Sequence, residues 1–214
     1  MTSIKPKTKS IRSYHLNDVV VFHRTKDSFG GLSNMASGYP IIINGFKIPS
    51  TEALYQACRF PHLPELQREI ISQRSPIFAK RISKMQNDES RADWYQIRVP
   101  IMRWCLRAKL AQNYHLFSQL LLSTGDRAIV ELSKKDDFWG ATPSSIDQNQ
   151  LIGENVLGRL LMELREQLKN EHYQPLQDLA PLKIEQFSLF GEPISVVKVN
   201  DREEKQAGWQ NNLF

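Results

Sequence analysis

The 214-residue chain predicts an α+β fold, mainly α-helical, in a compact single domain with a few short strands and flexible tails. Three observations carry that expectation. Residues 18–24 (DVVVFHR) and 39–49 (YPIIINGFKIP) are short β-branched and aromatic runs, the second broken by the turn pair Asn44 and Gly45, so strands are few and early. From Ser50 onward apolar residues recur at helical spacing behind capping signals, so helices dominate. Pro175 and Pro181 then frame a shift to polar, mixed-charge sequence with little periodicity, which puts a domain boundary near Tyr173. The expected organisation is a basic flexible arm over residues 1–13, a folded domain over 14–173 and a C-terminal tail over 174–214 suited to a partner.

Taken in order, the strand-like runs flank residues 29–35 (FGGLSNM), a glycine-containing loop that does not match a dinucleotide fingerprint. Helices are expected over residues 50–60, 64–72, 76–85, 91–112, 114–123 and 154–169. Pro100 is expected to start or kink the fourth of these, leaving Trp94 in the turn before it.

Composition bounds the function. With 41% hydrophobic and 24% charged residues the chain belongs to the globular class. No apolar run approaches the roughly 20 residues of a membrane span, and the N-terminus lacks the apolar segment of a secretory signal, so a cytoplasmic protein without membrane contact is expected. Lys5, Lys7, Lys9 and Arg12 supply four of the five net positive charges, leaving the body near neutral. Such an arm contacts phosphates or is simply a solvated tail. Cys58 and Cys105 sit in apolar, helix-like stretches and read as buried thiols; neither a disulfide framework nor a metal-binding spacing is present, and no cofactor is expected.

Three constellations bear chemistry. On a wheel of about 100° per residue, Ile101, Met102, Cys105, Ala108 and Lys109 share one sector while Arg103 and Arg107 point away. A lysine among apolar residues is paired with an acid, reaches back to water, or sits in a cleft where its amine acts as nucleophile or base. The stretch KKDDFWG, residues 134–140, places two acids beside an aromatic pair and a glycine, as either a rigid functional loop or a capped turn around a buried tryptophan. In IGENVLGRLLMELREQL, Leu157, Leu160, Leu161, Leu164 and Leu168 form a core stripe. Gly158 within that helix costs about 1 kcal/mol against alanine and implies close approach of a neighbour or ligand. The GEN start is a candidate anion site, with plain helix packing as its alternative.

In this order and spacing, FGGLSNM, IPSTEALYQACRF, RADWYQIRVPIMRWCLRAKLAQN, LLLSTGDRAIVELSKKDDFWG and GENVLGRLLMELREQL resemble the NADAR family from about Val20 to about Leu168. The resemblance implies a compact, mainly helical α+β fold with a pocket for a ribose and its phosphates. It implies N-glycosidic hydrolysis of a ribosylamine in one of two branches. One branch acts on ribosylamine intermediates of riboflavin synthesis. The other removes ADP-ribose from guanine bases and so reverses a DNA ADP-ribosyltransferase toxin. By this resemblance Glu52, Lys109 and Asp136 are the catalytic residues, and Asn34, Arg59, Trp94, Trp139, Gly140, Asn155 and Gly158 bind substrate. Arg59 departs from the pattern, since many members carry lysine there, and arginine stays protonated and forms no imine.

The expected chemistry is capture of the ring-opened sugar by Lys109 as a Schiff base, with Glu52 and Asp136 sharing acid and base work and Trp139 stacking on base or sugar. Direct attack by water through an oxocarbenium-like state is the alternative. The basic arm favours a nucleic-acid substrate, and the expected partner is ADP-ribosylated guanine in DNA, or ADP-ribose. Gln186, Phe187, Ser188, Leu189 and Phe190 resemble the short peptide that docks bacterial proteins on the DNA sliding clamp, or else pack on their own domain. A riboflavin-intermediate glycosidase is the runner-up activity, and a non-catalytic ADP-ribose-binding module the reading from another class.

Overall fold

The computed structural model describes residues 10–170 and 178–199. Lys5, Lys7 and Lys9 of the basic arm, the expected boundary at Tyr173 and the end of the tail lie outside the described residues. The chain runs through β1 (Arg12–His15), β2 (Val19–Phe22), β3 (Ile41–Ile43), β4 (Phe46–Ile48), α1 (Thr51–Ala57), α2 (Pro64–Ser72), α3 (Pro76–Met85), α4 (Trp94–Gln112), α5 (Tyr114–Leu122), β5 (Ala128–Glu131), β6 (Thr142–Pro143), β7 (Gln150–Gly153), α6 (Val156–Lys169), β8 (Ser188–Leu189) and β9 (Glu192–Pro193). The fold is α+β and mainly helical, as the sequence predicts.

Local chemistry explains the elements that the sequence announced. Asn44 and Gly45 both adopt positive φ, the backbone a two-residue hairpin requires, and they join β3 to β4 in antiparallel register. Ser50 caps α1 by accepting a hydrogen bond from the Ala53 N–H at 3.2 Å, and α2 and α3 each open on proline. The continuous apolar run of β2 fits its place as a parallel partner of β5, Val19 opposite Ala128 through Phe22 opposite Glu131. That pairing joins segments more than a hundred residues apart and sets the C-terminal end of β5 at the cavity described below. α6 packs on β5, and Gly158 is what allows it, since a Cβ there would meet the Ile129 carbonyl oxygen at 2.1 Å.

Three boundaries differ from expectation. Trp94 is the first residue of α4 and Pro100 lies inside it, because a proline six residues in forfeits only the bond to one exposed residue, Gln96, leaving the turns on either side intact. Arg12 and Ser13, assigned to the arm, belong to β1, which pairs antiparallel with β7 and buries Tyr14. Its partner lies so far along the chain that no local pattern shows it.

The third difference is the tail, whose described part, residues 178–199, is packed on the domain. Phe187 and Leu189 are 7% and 0% exposed and belong to the main core. Phe187 meets Trp104 edge-on at 4.9 Å, and Phe190 meets Phe46 at 4.7 Å. The backbone is tied down as well: Arg91 donates to the carbonyls of Glu185 at 2.6 Å and Gln186 at 3.3 Å, and Trp104 Nε1 donates to that of Ala180 at 2.9 Å. Mixed charge disguised a segment in which Leu179, Phe187, Leu189, Ile194 and Val197 are buried. Among the described residues no helix is long and apolar enough to cross a membrane, and no cluster of potential metal ligands occurs.

Candidate active site

A cavity of about 900 Å³ opens between α1, α3, the start of α4, the end of β5 and the loop over residues 132–139. Glu52, Glu131 and Asp136 bring three carboxylates to its wall. Glu52 sits in the first turn of α1, only 4% exposed, and accepts a hydrogen bond from Gln56 Nε2 at 2.8 Å. Gln56 is oriented in turn by Ser83, whose hydroxyl donates to the Gln56 side-chain oxygen. That relay fixes which end of the amide faces Glu52, and so fixes the carboxylate. The polar face of α1 carrying Glu52 and Gln56, together with Arg59 just beyond the helix end, is therefore cavity wall and not solvent-facing surface.

Glu131 ends β5. Burial pushes its carboxyl up to about 7, with the neighbouring charges of Glu52 and Asp136 adding to the rise and Lys80 opposing it. At neutral pH this group holds a proton for much of the time. Asp136 accepts the backbone N–H groups of Phe138 at 3.0 Å and Trp139 at 2.9 Å with one oxygen, an Asx turn that aims the aromatic pair.

The rings form one wall. Tyr55 lies 5.1 Å from Trp94 and 5.6 Å from Trp139, which meets Phe138 edge-on at 5.0 Å. Burial raises the Tyr55 phenol well above its usual value, so it remains a neutral donor. Arg59 lies 5.4 Å over the Trp94 ring, held there by hydrogen bonds to Ser90 and Asn87. Asn34 donates to Met102 Sδ at 2.9 Å, yet its side-chain oxygen is buried with no hydrogen-bond partner. Asn34 thus brings an unsatisfied acceptor to the cavity wall.

Of the residues predicted from sequence, Asn34, Glu52, Arg59, Trp94, Asp136 and Trp139 line this cavity. Lys109, Gly140, Asn155 and Gly158 do not, and their positions explain why. Lys109 is fully buried beneath the site: its amine donates to the carbonyls of Gly31 at 2.6 Å and Ser33 at 3.2 Å and lies 4.3 Å and 4.2 Å over the rings of Tyr39 and Phe117. Burial lowers its pKa to about 7. The wheel placed it on the apolar face correctly, and in the fold its amine ties down the loop that carries Asn34 without lining the cavity. Asn155 bonds β5 through Glu131 N and Ile129 O, at 3.1 Å and 2.8 Å, and a Cβ at Gly140 would strike the Glu131 carbonyl oxygen at 2.5 Å. Both pack against β5 at Glu131 and neither lines the cavity. Nor is the start of α6 an anion site, since the N–H groups of Val156 and Leu157 donate to the carbonyls of Phe138 and Trp139.

Sequence reading missed Glu131, Lys80 and Arg98. Lys80, on α3, brings its amine to 3.8 Å from Glu52 Oε1. Arg98, on α4, stacks its guanidinium 3.7 Å over the Phe138 ring. Each looked like an ordinary helix-surface cation, and Glu131 like a polar residue closing an apolar run; only the fold makes them neighbours.

Fold and cavity describe a single-domain α+β protein with carboxylates, an amine and aromatic rings converging on one site. The chain belongs to the NADAR domain family, whose match spans residues 21–169. It is 36% identical over 166 residues to N-glycosidase YbiA of Escherichia coli, covering 77% of this chain and 98% of that protein. It is also 36% identical over 179 residues to riboflavin biosynthesis protein VVA0006 of Vibrio vulnificus, covering 83% of this chain but 44% of the relative, so it spans less than half that protein's length. The NMR structure of E. coli YbiA superposes with a TM-score of 0.59 at 31% identity, covering 76% of this chain and 93% of the other.

Proposed function

We propose that the protein is an N-glycosidase that hydrolyses the bond between ADP-ribose and a guanine base of DNA, reversing that modification in repair or as an antitoxin. Membership of a family that includes N-glycosidases supports the bond class. The charge of the cavity carries the choice of substrate: Arg59, Lys80, Lys84, Arg98, Lys134 and Lys135 stand around it, more cations than one phosphate monoester requires and well matched to a diphosphate.

Water attacks the anomeric carbon while the bond from that carbon to the guanine amino nitrogen breaks. The bonding pair leaves with the nitrogen, Glu131 delivers a proton to it, and Glu52 takes a proton from the water. The products are ADP-ribose and unmodified guanine. Lys80 steadies the Glu52 carboxylate and the ribosyl phosphates, Asn34 accepts a sugar hydroxyl, and Trp139 stacks on the base. The Lys80 amine lies 3.8 Å from Glu52 Oε1, a position that suits it to electrostatic support of that carboxylate rather than nucleophilic attack.

Docking of Gln186–Phe190 on a sliding clamp would require Phe187 and Leu189 to leave the core, so the proposed function does not rest on it. The direct test follows release of ADP-ribose by chromatography from a guanine-ADP-ribosylated oligonucleotide. Release by the native protein and its loss in Glu52→Gln are expected; no release by the native protein sinks the proposal.

A further inference from the structure

Tyr95 and Arg98 line the active cavity and also a second groove of about 1170 Å³, which continues along α4 and α6. Arg12, Arg103 and Arg159 line this groove as well, and Ser10 reaches its edge. Arg103 is neutralised by a bidentate pair with Glu163 at 2.9 Å and 3.1 Å. Arg12, Arg98 and Arg159 form no ion pair among the described residues, and Glu154 is the one remaining carboxylate of the lining. Arg98 Nε is buried without a hydrogen-bond partner, and its guanidinium is held between the Phe138 ring at 3.7 Å and the Tyr95 ring at 5.3 Å. Tyr95 itself is 69% exposed, an aromatic face presented to solvent where groove and cavity meet.

We infer that this groove carries the sugar-phosphate backbone of a single nucleic-acid strand past the active site, with Tyr95 as the stacking platform for the base beside the one undergoing reaction. Unpaired guanidinium groups are suited to phosphates, and an aromatic ring interleaved with them suits a strand whose bases are unstacked. An acidic peptide would match the charge but would leave the exposed ring without a planar partner. Continuity with the cavity also matters, because a polymer lying in the groove can place one unit in the site without leaving its track. The inference rests on the proposed function for what the strand carries, whereas binding in the groove is measured on an unmodified strand, so the two fail separately.

The test is fluorescence anisotropy with an unmodified single-stranded DNA of about 15 nucleotides, titrated between about 50 mM and 200 mM salt. Arg12→Glu combined with Arg159→Glu is expected to weaken binding at least about tenfold and to flatten the salt dependence by about one phosphate contact or more. Tyr95→Ala is expected to weaken it by about tenfold with the salt dependence unchanged. Should the charge-reversed protein melt below the native one, Arg12→Gln combined with Arg159→Gln gives the same comparison with a smaller loss. Equal affinity of native and folded variant proteins overturns the inference, as does failure of the native protein to bind, or equal binding of a glutamate-rich peptide of matching charge.

Discussion

Glu52 Oε1 lies 3.8 Å from Lys80 Nζ across the cavity, a nearly buried carboxylate facing a half-exposed amine. The pair places a basic side chain beside the proposed general base. Glu52→Gln keeps the hydrogen bond to Gln56 and the packing of α1 but removes the base, so kcat is expected to fall by about 10² to 10⁴ while the melting temperature stays close to that of the native protein. Initial rates and thermal melts on the same preparation check both halves.

The placement of Lys80 against Glu52 bears on the route of the reaction. Treatment with borohydride during turnover is expected to leave the mass of the protein unchanged. A reduced adduct mapped to Lys80 would transfer the reaction to an imine route.

Glu131 predicts the pH profile. Its carboxyl must hold a proton to release the base, and burial keeps it at about 7, so kcat/KM should decline as pH rises through that value. Glu131→Gln is expected to lower kcat/KM by about 10² to 10⁴ and to abolish the decline. Stability moves with it. The folded carboxyl titrates near 7 and its ordinary value is 4.5, so the folded state binds more protons between them and loses stability as pH rises across that window. Melting curves of Glu131→Gln should lack this loss.

Lys109 gives the opposite slope. Burial lowers it from 10.5 to about 7, so between those values the unfolded chain binds more protons and stability rises with pH; below about 7 both states are protonated and the cost is constant. Lys109→Met should flatten the rise between pH 7 and 10 and destabilise the protein by about 1 to 3 kcal/mol for each of the two carbonyls it orphans. Denaturant titrations at two pH values measure both effects. The raised Tyr55 opposes the trend only above its usual value of 10.0.

Much of this was legible in the sequence, for reasons that particular residues make plain. The Asn44-Gly45 turn, the Ser50 cap and the leucine stripe of α6 are local signals, and the elements they specify formed where expected. Glu52, Asn34, Trp94, Asp136 and Trp139, each within a short motif, do line the cavity. Lys80 and Glu131 were not legible, because their significance exists only after α3 packs on α1 and β5 pairs with β2. Lys109 shows another limit of local pattern: its apolar face was legible, yet whether a buried amine meets a cavity or two carbonyls is decided by the loop over residues 30–35, far off in sequence.

The packed tail is equally testable. Phe187→Ala removes the ring that meets Trp104 and is expected to cost about 3 to 5 kcal/mol of stability, measured by denaturant unfolding. A free docking peptide would lose almost nothing.

The most direct measurement offers a guanine-ADP-ribosylated oligonucleotide and a ribosylamine phosphate to the same protein and compares kcat/KM. The cation-ringed cavity predicts a preference for the ADP-ribosylated strand of at least about tenfold, one decade for each 1.4 kcal/mol of added diphosphate recognition. A higher kcat/KM for the ribosylamine phosphate would contradict it and identify the protein as a glycosidase of small metabolites.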